Sequence, residues 1–132
     1  MSLNELMDAD RGLVPKLGIK VLEMTAEYVR ATMPVEGNTQ PYGLLHGGAS
    51  AALIETLASI GAAYHAQSMG KVAVGMELQV SHLSPVLCGE VKGEAHAIHL
   101  GKTSALYDVT ITHKGRTTAT GKLRCALIEP RD

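Results

Sequence analysis

The feature that most constrains this chain is a single long helix-forming stretch set among segments that alternate with a period of two. The stretch runs from about Gly47 to Ser68 and is rich in Ala, which favours helix. Its apolar residues fall on nearly every side, so burial almost all round is expected. A lone helix of that kind needs another layer to cover it. The other segments supply one. Gly18 to Met24 and Glu27 to Val35 read as strands with a tight turn near Thr25, and "EGNTQPYG" reads as loop. After Gly70, Val72, Val74, Met76, Leu78 and Val80 alternate with Ala73, Gly75, Glu77, Gln79 and Ser81, a strand signature. Glu90 to Leu100, Ser104 to His113 and Thr117 to Ile128 come next, joined at "LGKT" and "HKGR", which suit hairpins. Strand, strand, long helix and four strands predict an α+β fold in which a curved antiparallel sheet wraps the helix. One helix cannot cover both faces of a sheet, so apolar surface is expected to remain for a partner subunit.

At 132 residues the chain is expected to form one domain over 1–132, opened by a short helix at about Leu3 to Asp10. A formal net charge of −1, with no run of Lys and Arg, argues against nucleic acid as a partner. With four Tyr, no Trp and no Phe, base-stacking platforms are equally out of reach. The first residues are polar and acidic, unlike a secretory leader. The apolar run after Gly48 is about 15 residues long and carries Glu55, too short and too charged to span a bilayer. Cys88 and Cys125 lack metal or redox spacing, which fits a reduced, cytoplasmic protein, with a disulfide between them left open by the sequence.

Glu55 is the only charge between Ala49 and Ala63. A carboxylate without partners is costly in apolar surroundings. The plainer reading is a registry device satisfied by Thr56, Ser59 or a neighbouring strand. The sharper one is chemistry. His46-Gly47-Gly48 opens the helix, where early N–H groups lack intrahelical partners and sit at the positive end; glycine lets a ligand approach closely. As turn residues alone they would be unremarked. An N–H donor aimed at a carbonyl oxygen, with a carboxylate acting as base or nucleophile, is a pairing suited to attack on a carbonyl. Gly47 and Glu55 are separated by about 12 Å along a helix, whereas one reacting carbonyl must lie within about 3 Å of both groups. If both serve one substrate, they come from different copies of the chain. Glu55 and Ser59, at i and i+4, share a helix face.

Other candidates are weaker. His82 continues the even-numbered face of Val72 to Val80, as a satisfied core or interface histidine or as a wall of a pocket. His96 and His99, three apart on a strand, are expected on opposite faces, which argues against a metal site. Lys102, Thr103 and Ser104 form either a solvated turn or a contact for phosphates; Arg116 and Arg124 carry less of that signal. Met24, Met33, Met69 and Met76 are expected as core filler, or as adaptable walls of a pocket in a chain without Phe.

Gln40-Pro41-Tyr42-Gly43-Leu44-Leu45-His46-Gly47-Gly48, with Glu55 and Ser59 beyond it, resembles the hotdog-fold acyl-CoA thioesterases. The branch resembled holds phenylacetate-pathway thioesterases, Glu-type 4-hydroxybenzoyl-CoA thioesterases and the enterobactin and menaquinone proofreading enzymes. "VAVGMELQVSHLSPV" and "HLGKTS" extend the likeness over roughly residues 15–128. The resemblance implies hydrolysis of an acyl-CoA to free acid and CoA in a homodimer or homotetramer with active sites between subunits, and no metal or redox cofactor. It gives Glu55 the catalytic carboxylate, Gly47 the oxyanion donor with Gly48 beside it, and Gln40 the placing of the thioester. His46 stands at the mouth of the helix, and Ser59 positions water or the carboxylate. Aromatic acyl groups are frequent in this branch, aliphatic chains occur, and thioesters on acyl carrier protein remain open. The alternatives are a hotdog hydratase or dehydratase, whose acid-base pattern differs, and a non-catalytic acyl-CoA sensor, which would be expected to carry a signalling module.

Overall fold

The computed structural model describes Glu5 and residues 11–131; the expected helix at Leu3 to Asp10 lies outside them. A short helix α1 (Leu13–Leu17) leads into β1 (Lys20–Met24) and β2 (Tyr28–Pro34). The long helix α2 (Gly47–Gln67) is next, then β3 (Val72–His82), β4 (Glu90–Leu100), β5 (Ser104–His113) and β6 (Arg116–Ile128). The strands form one antiparallel sheet in the order β1-β2-β4-β5-β6-β3, so β1 and β3 are its edges. Helix α2 packs across five of the strands, β2 to β6, as the sheet curves round it. This is the hotdog architecture.

Leu53, Ile54, Leu57, Ala58 and Ala62 press from α2 onto Val29, Met33, Val91, Val109, Ile111 and Leu123, all fully or almost fully buried. Tyr107 also lies in this core, and its hydroxyl donates to the carbonyl of Ala26. Facing the Tyr107 ring, Gly61 keeps the helix within reach: a Cβ at Gly61 would stand 2.7 Å from the ring.

Helix α2 is not buried all round. Ala52, Glu55, Thr56, Ser59 and Ala63 form a stripe along one side that opens into a cavity. The sequence hides this because Ala, Ser and Thr look alike whether they pack or line a space.

Three strands carry an extra apolar residue that breaks the period of two. Leu22 bulges from β1, Met76 from β3 and Ile98 from β4. All three are turned out of the core, 46%, 56% and 51% exposed respectively. Each such residue inverts the facing of the strand beyond it. Along β3, Ala73 and Gly75 oppose buried Leu127 and Cys125, placing them on the helix side, while Val72 and Val74 face outward. Past Met76 the phase reverses, and Leu78, Val80 and His82 take the helix side opposite Leu123, Gly121 and Ala119. The single even-numbered face expected for Val72 to His82 is therefore two half-faces, and Met76 is not core filler. The bulge at Ile98 likewise corrects the histidine pair. His96 opposes Asp108 and His99 opposes Leu106, so both lie on the outer face. Among the described residues no three His, Cys, Asp or Glu side chains gather as a metal would need. No described helix is long and apolar enough to cross a membrane.

Candidate active site

The loop between β2 and α2 is fixed from within. Asn38, buried, donates from Nδ2 to the carbonyls of Leu17 (2.7 Å) and Pro34 (2.8 Å), and its own carbonyl accepts from His46 N (2.9 Å). Gln40 closes the next turn: its Oε1 accepts from the N–H groups of Tyr42 and Leu44. With the side-chain oxygen occupied, the Nε2 amide hydrogens are the end of Gln40 left to donate to a ligand.

His46 is the N-cap of α2. Its backbone is extended (φ −66°, ψ 131°), and its Nδ1 accepts from Gly48 N at 2.7 Å. A neutral ring accepting at Nδ1 carries its proton on Nε2. The cap takes up the Gly48 N–H, which corrects the placing of Gly48 as a second oxyanion donor. Ala49 and Ser50 both donate to the His46 carbonyl. The N–H of Gly47 has no partner among the described residues. One N–H at the positive end of a 21-residue helix is thus left for an incoming oxygen.

Gln40, Gly47, Ser50, His82 and Thr118 line a cavity of about 430 Å³. His82 is here because of the phase reversal at Met76, and a Cβ on Gly47 would come within 3.0 Å of its Nε2. Thr118 is itself an extra residue in β6, opposite Ile111 and Thr112, and its carbonyl accepts from Leu83 and Ser84 N.

Glu55 and Ser59 lie elsewhere. They open into a second cavity of about 580 Å³, walled by Val14, Ile60, Ala63, Tyr64 and Ala73. Within the protomer Glu55 is exposed, which corrects the expectation of an apolar surround. Its Oε2 rests over Gly75, where a Cβ would stand at 2.9 Å. Across the ladder from Gly75 is Cys125, fully buried. Burial, and next the charge of Glu55, push the Cys125 thiol up to about 11. The sequence reading missed both residues. A small residue just before a bulge has a visible role only once the bulge is known.

One protomer therefore keeps the helix-start group and the carboxylate in separate cavities, as the eight-residue spacing requires. Lys102, Thr103 and Ser104 join neither. They turn beside the C-terminal end of α2, where His65 Nε2 meets the Gly101 carbonyl (2.7 Å) and Lys71 Nζ donates to that of Lys102 (2.6 Å).

The sequence profile of the thioesterase superfamily matches residues 42–120. The proofreading thioesterase EntH of Klebsiella pneumoniae is 41% identical over 91% of this chain and 88% of its own. A thioesterase of Haemophilus influenzae has 33% identity and a TM-score of 0.86, over 96% of this chain and 88% of that one. A Staphylococcus aureus thioesterase superposes with a TM-score of 0.83 and 28% identity, covering 89% of this chain and 98% of that one. It has been solved with a glutamine and with a glutamate, fifteen residues apart, each changed to alanine. Gln40 and Glu55 have the same separation.

Proposed function

The chain belongs to the thioesterase superfamily and is a thioester hydrolase; from that premise we propose that it hydrolyses acyl-CoA at a site shared between two copies. One observation carries the reading. The unpartnered Gly47 N–H and the Glu55 carboxylate lie in different cavities, at opposite ends of the same exposed edge strand. The His82 end of β3 borders the Gly47 cavity, and the Ala73–Gly75 end borders the Glu55 cavity. An edge of 11 residues that is unpaired among the described residues, with Val72, Val74, Met76 and Leu78 exposed, is a template for a further strand. If a second β3 pairs antiparallel to it, the His82 end of one strand meets the Val72 end of the other. That pairing brings the Gly47 cavity of one protomer against the Glu55 cavity of its partner. The outward-facing Val72, Val74 and Ile128 offer a further apolar contact, on which two such dimers form the tetramer.

In this arrangement the thioester oxygen accepts from Gly47 N–H, with Gln40 Nε2 and His82 beside it. Charge developing there gains about 3–4 kcal/mol from such a donor. Glu55 of the partner, steadied by Ser59, supplies the attack through water or by its own oxygen, and the CoA thiolate leaves. The apolar acyl group occupies the Glu55 cavity, whose volume lies within the ordinary range for small-molecule sites. Tyr64 and Ile60 flank that space and favour an aromatic acyl group of the kind common in the phenylacetate and 4-hydroxybenzoyl branch. No metal or redox cofactor enters the scheme, and CoA is substrate and product.

The test is steady-state release of free thiol from aromatic, short and medium aliphatic acyl-CoAs, by the native protein and by Glu55→Gln. Native protein should be fastest on an aromatic acyl-CoA, and Glu55→Gln should lose at least about 100-fold in kcat with its Tm kept, in the range of an essential acid-base group. Near-native kcat in folded Glu55→Gln would remove the carboxylate from the reaction. One turnover in isotopically labelled water separates attack by water from attack through an anhydride that water opens at the Glu55 carbon, since the latter puts an unlabelled carboxylate oxygen into the first product.

A further inference from the structure

A third cavity, of about 400 Å³, lies between the β5–β6 hairpin and the segment after β3. Lys114, Arg116 and His113 line it and, among the described residues, no acidic side chain does, in a chain whose formal net charge is −1. It shares Pro85 and Val86 with the Gly47 cavity, so the two spaces meet across one rim.

The cavity is built, not a loose patch. Arg116 Nη2 donates to the Pro85 carbonyl at 3.3 Å, and His113 Nδ1 donates to that of Glu90 at 3.0 Å. Both ends of the hairpin are tied to the opposite wall. Between them stands Lys114, which among the described residues is the only non-glycine with positive φ, at 51°. With Gly115 at φ 78° it forms the two-residue turn between paired His113 and Arg116. That kind of turn favours Asn, Asp or Gly at its first position, and a longer side chain in the left-handed region costs about 1–2 kcal/mol. A lysine held there against that preference points to use of its charge.

We propose that this cavity takes the phosphates at the nucleotide end of CoA when the thioester sits at Gly47, and that it selects CoA-borne substrates. The pantetheine arm, about thirteen bonds from sulfur to the first phosphorus, has the extended length of about four residues, roughly 15 Å. From Thr118, which lines the Gly47 cavity, to Arg116 is two residues of strand, about 7 Å. The arm spans the rim with length to spare. Lys114 provides a point charge and Arg116 a planar fork for phosphate oxygens.

The proposal rests on Gly47 as the seat of the carbonyl, so its test has one readout independent of turnover. Cys88 is exposed and lines the same cavity, whereas Cys125 is buried, so alkylation of the native protein reports on Cys88. In Glu55→Gln, S-methyl-CoA, whose sulfur cannot consume the reagent, should slow alkylation of Cys88 and S-methylpantetheine should not; equal rates with and without S-methyl-CoA would overturn the site. In the active protein, Lys114→Ala/Arg116→Ala should lower kcat/KM for an acyl-CoA about tenfold relative to the same acyl group on N-acetylcysteamine, through KM. The loss should shrink in high salt. Lys114→Gly, which suits the turn, should raise Tm while lowering the same ratio. A ratio unchanged in both variants refutes the proposal. A larger loss on an acyl carrier protein thioester than on acyl-CoA refutes the choice of CoA.

Discussion

Gly75 gives the most discriminating single substitution. Its φ is not in the left-handed region, so alanine fits the backbone there. The new Cβ would meet Glu55 Oε2 at 2.9 Å, about 0.5 Å inside comfortable contact. The group that must yield is the far end of an exposed side chain, so the fold hardly suffers. Alanine should instead stabilise by about 0.4–1 kcal/mol by restricting the unfolded chain. Catalysis fares differently. A 1 Å error in the position of a reacting group can cost about 100-fold, so a displacement of half that size should cost about tenfold in kcat. Gly75→Ala is thus expected to hold or raise Tm while lowering kcat about tenfold, with KM little changed. Adding Glu55→Asp withdraws the carboxylate by one methylene. In a double-mutant cycle the pair should be less impaired than the two single losses combined. Denaturation curves and thiol-release kinetics on the same samples decide it. Full turnover in Gly75→Ala, or additive losses in the cycle, would refute Gly75 as the seat of the carboxylate.

Gly61→Ala should destabilise by about 1–3 kcal/mol through overpacking against Tyr107, despite the better helix propensity of alanine, as urea unfolding would show. Stability should also fall at alkaline pH. Burial raises the Cys125 thiol from 9.0 to about 11 and raises the Tyr107 hydroxyl as well. The unfolded chain therefore loses these protons first, so the contribution of Cys125 is whole below pH 9 and is lost as pH rises from 9 to 11. Melting temperatures across that range should fall less steeply for Cys125→Ala.

The sequence made the element order, the long helix and the two hairpins legible because composition and turn residues mark them directly. The start of α2 was legible too: His46-Gly47-Gly48 reads as a helix entry, and the spacing from Gly47 to Glu55 already calls for two copies if both groups serve one substrate. Facing was not legible. Leu22, Met76 and Ile98 fit an alternating strand by type, yet each is an extra residue opposite nothing, and one such residue inverts the rest of its strand. For that reason the placing of His82, the pairing of His96 with His99, and Gly75 beneath Glu55 needed three-dimensional pairing. The exposure of Glu55 within the protomer was hidden for another reason. An apolar run in sequence surrounds a helical residue only along the chain, whereas its neighbours in space are the i±3 and i±4 residues and the open edge of the sheet.

The claim that a carboxylate of one protomer serves an amide of the other is tested most directly by mixing two defective variants. Glu55→Gln and Gln40→Ala are each expected to be impaired alone. In a mixed dimer one of the two shared sites collects both lesions and the other collects neither. Refolding equal amounts together should therefore restore about a quarter of native activity, since about half of the dimers are mixed and each has one intact site. If activity after mixing stays at the average of the two variants, although mixed dimers have formed, both groups act within a single chain and the shared site is contradicted.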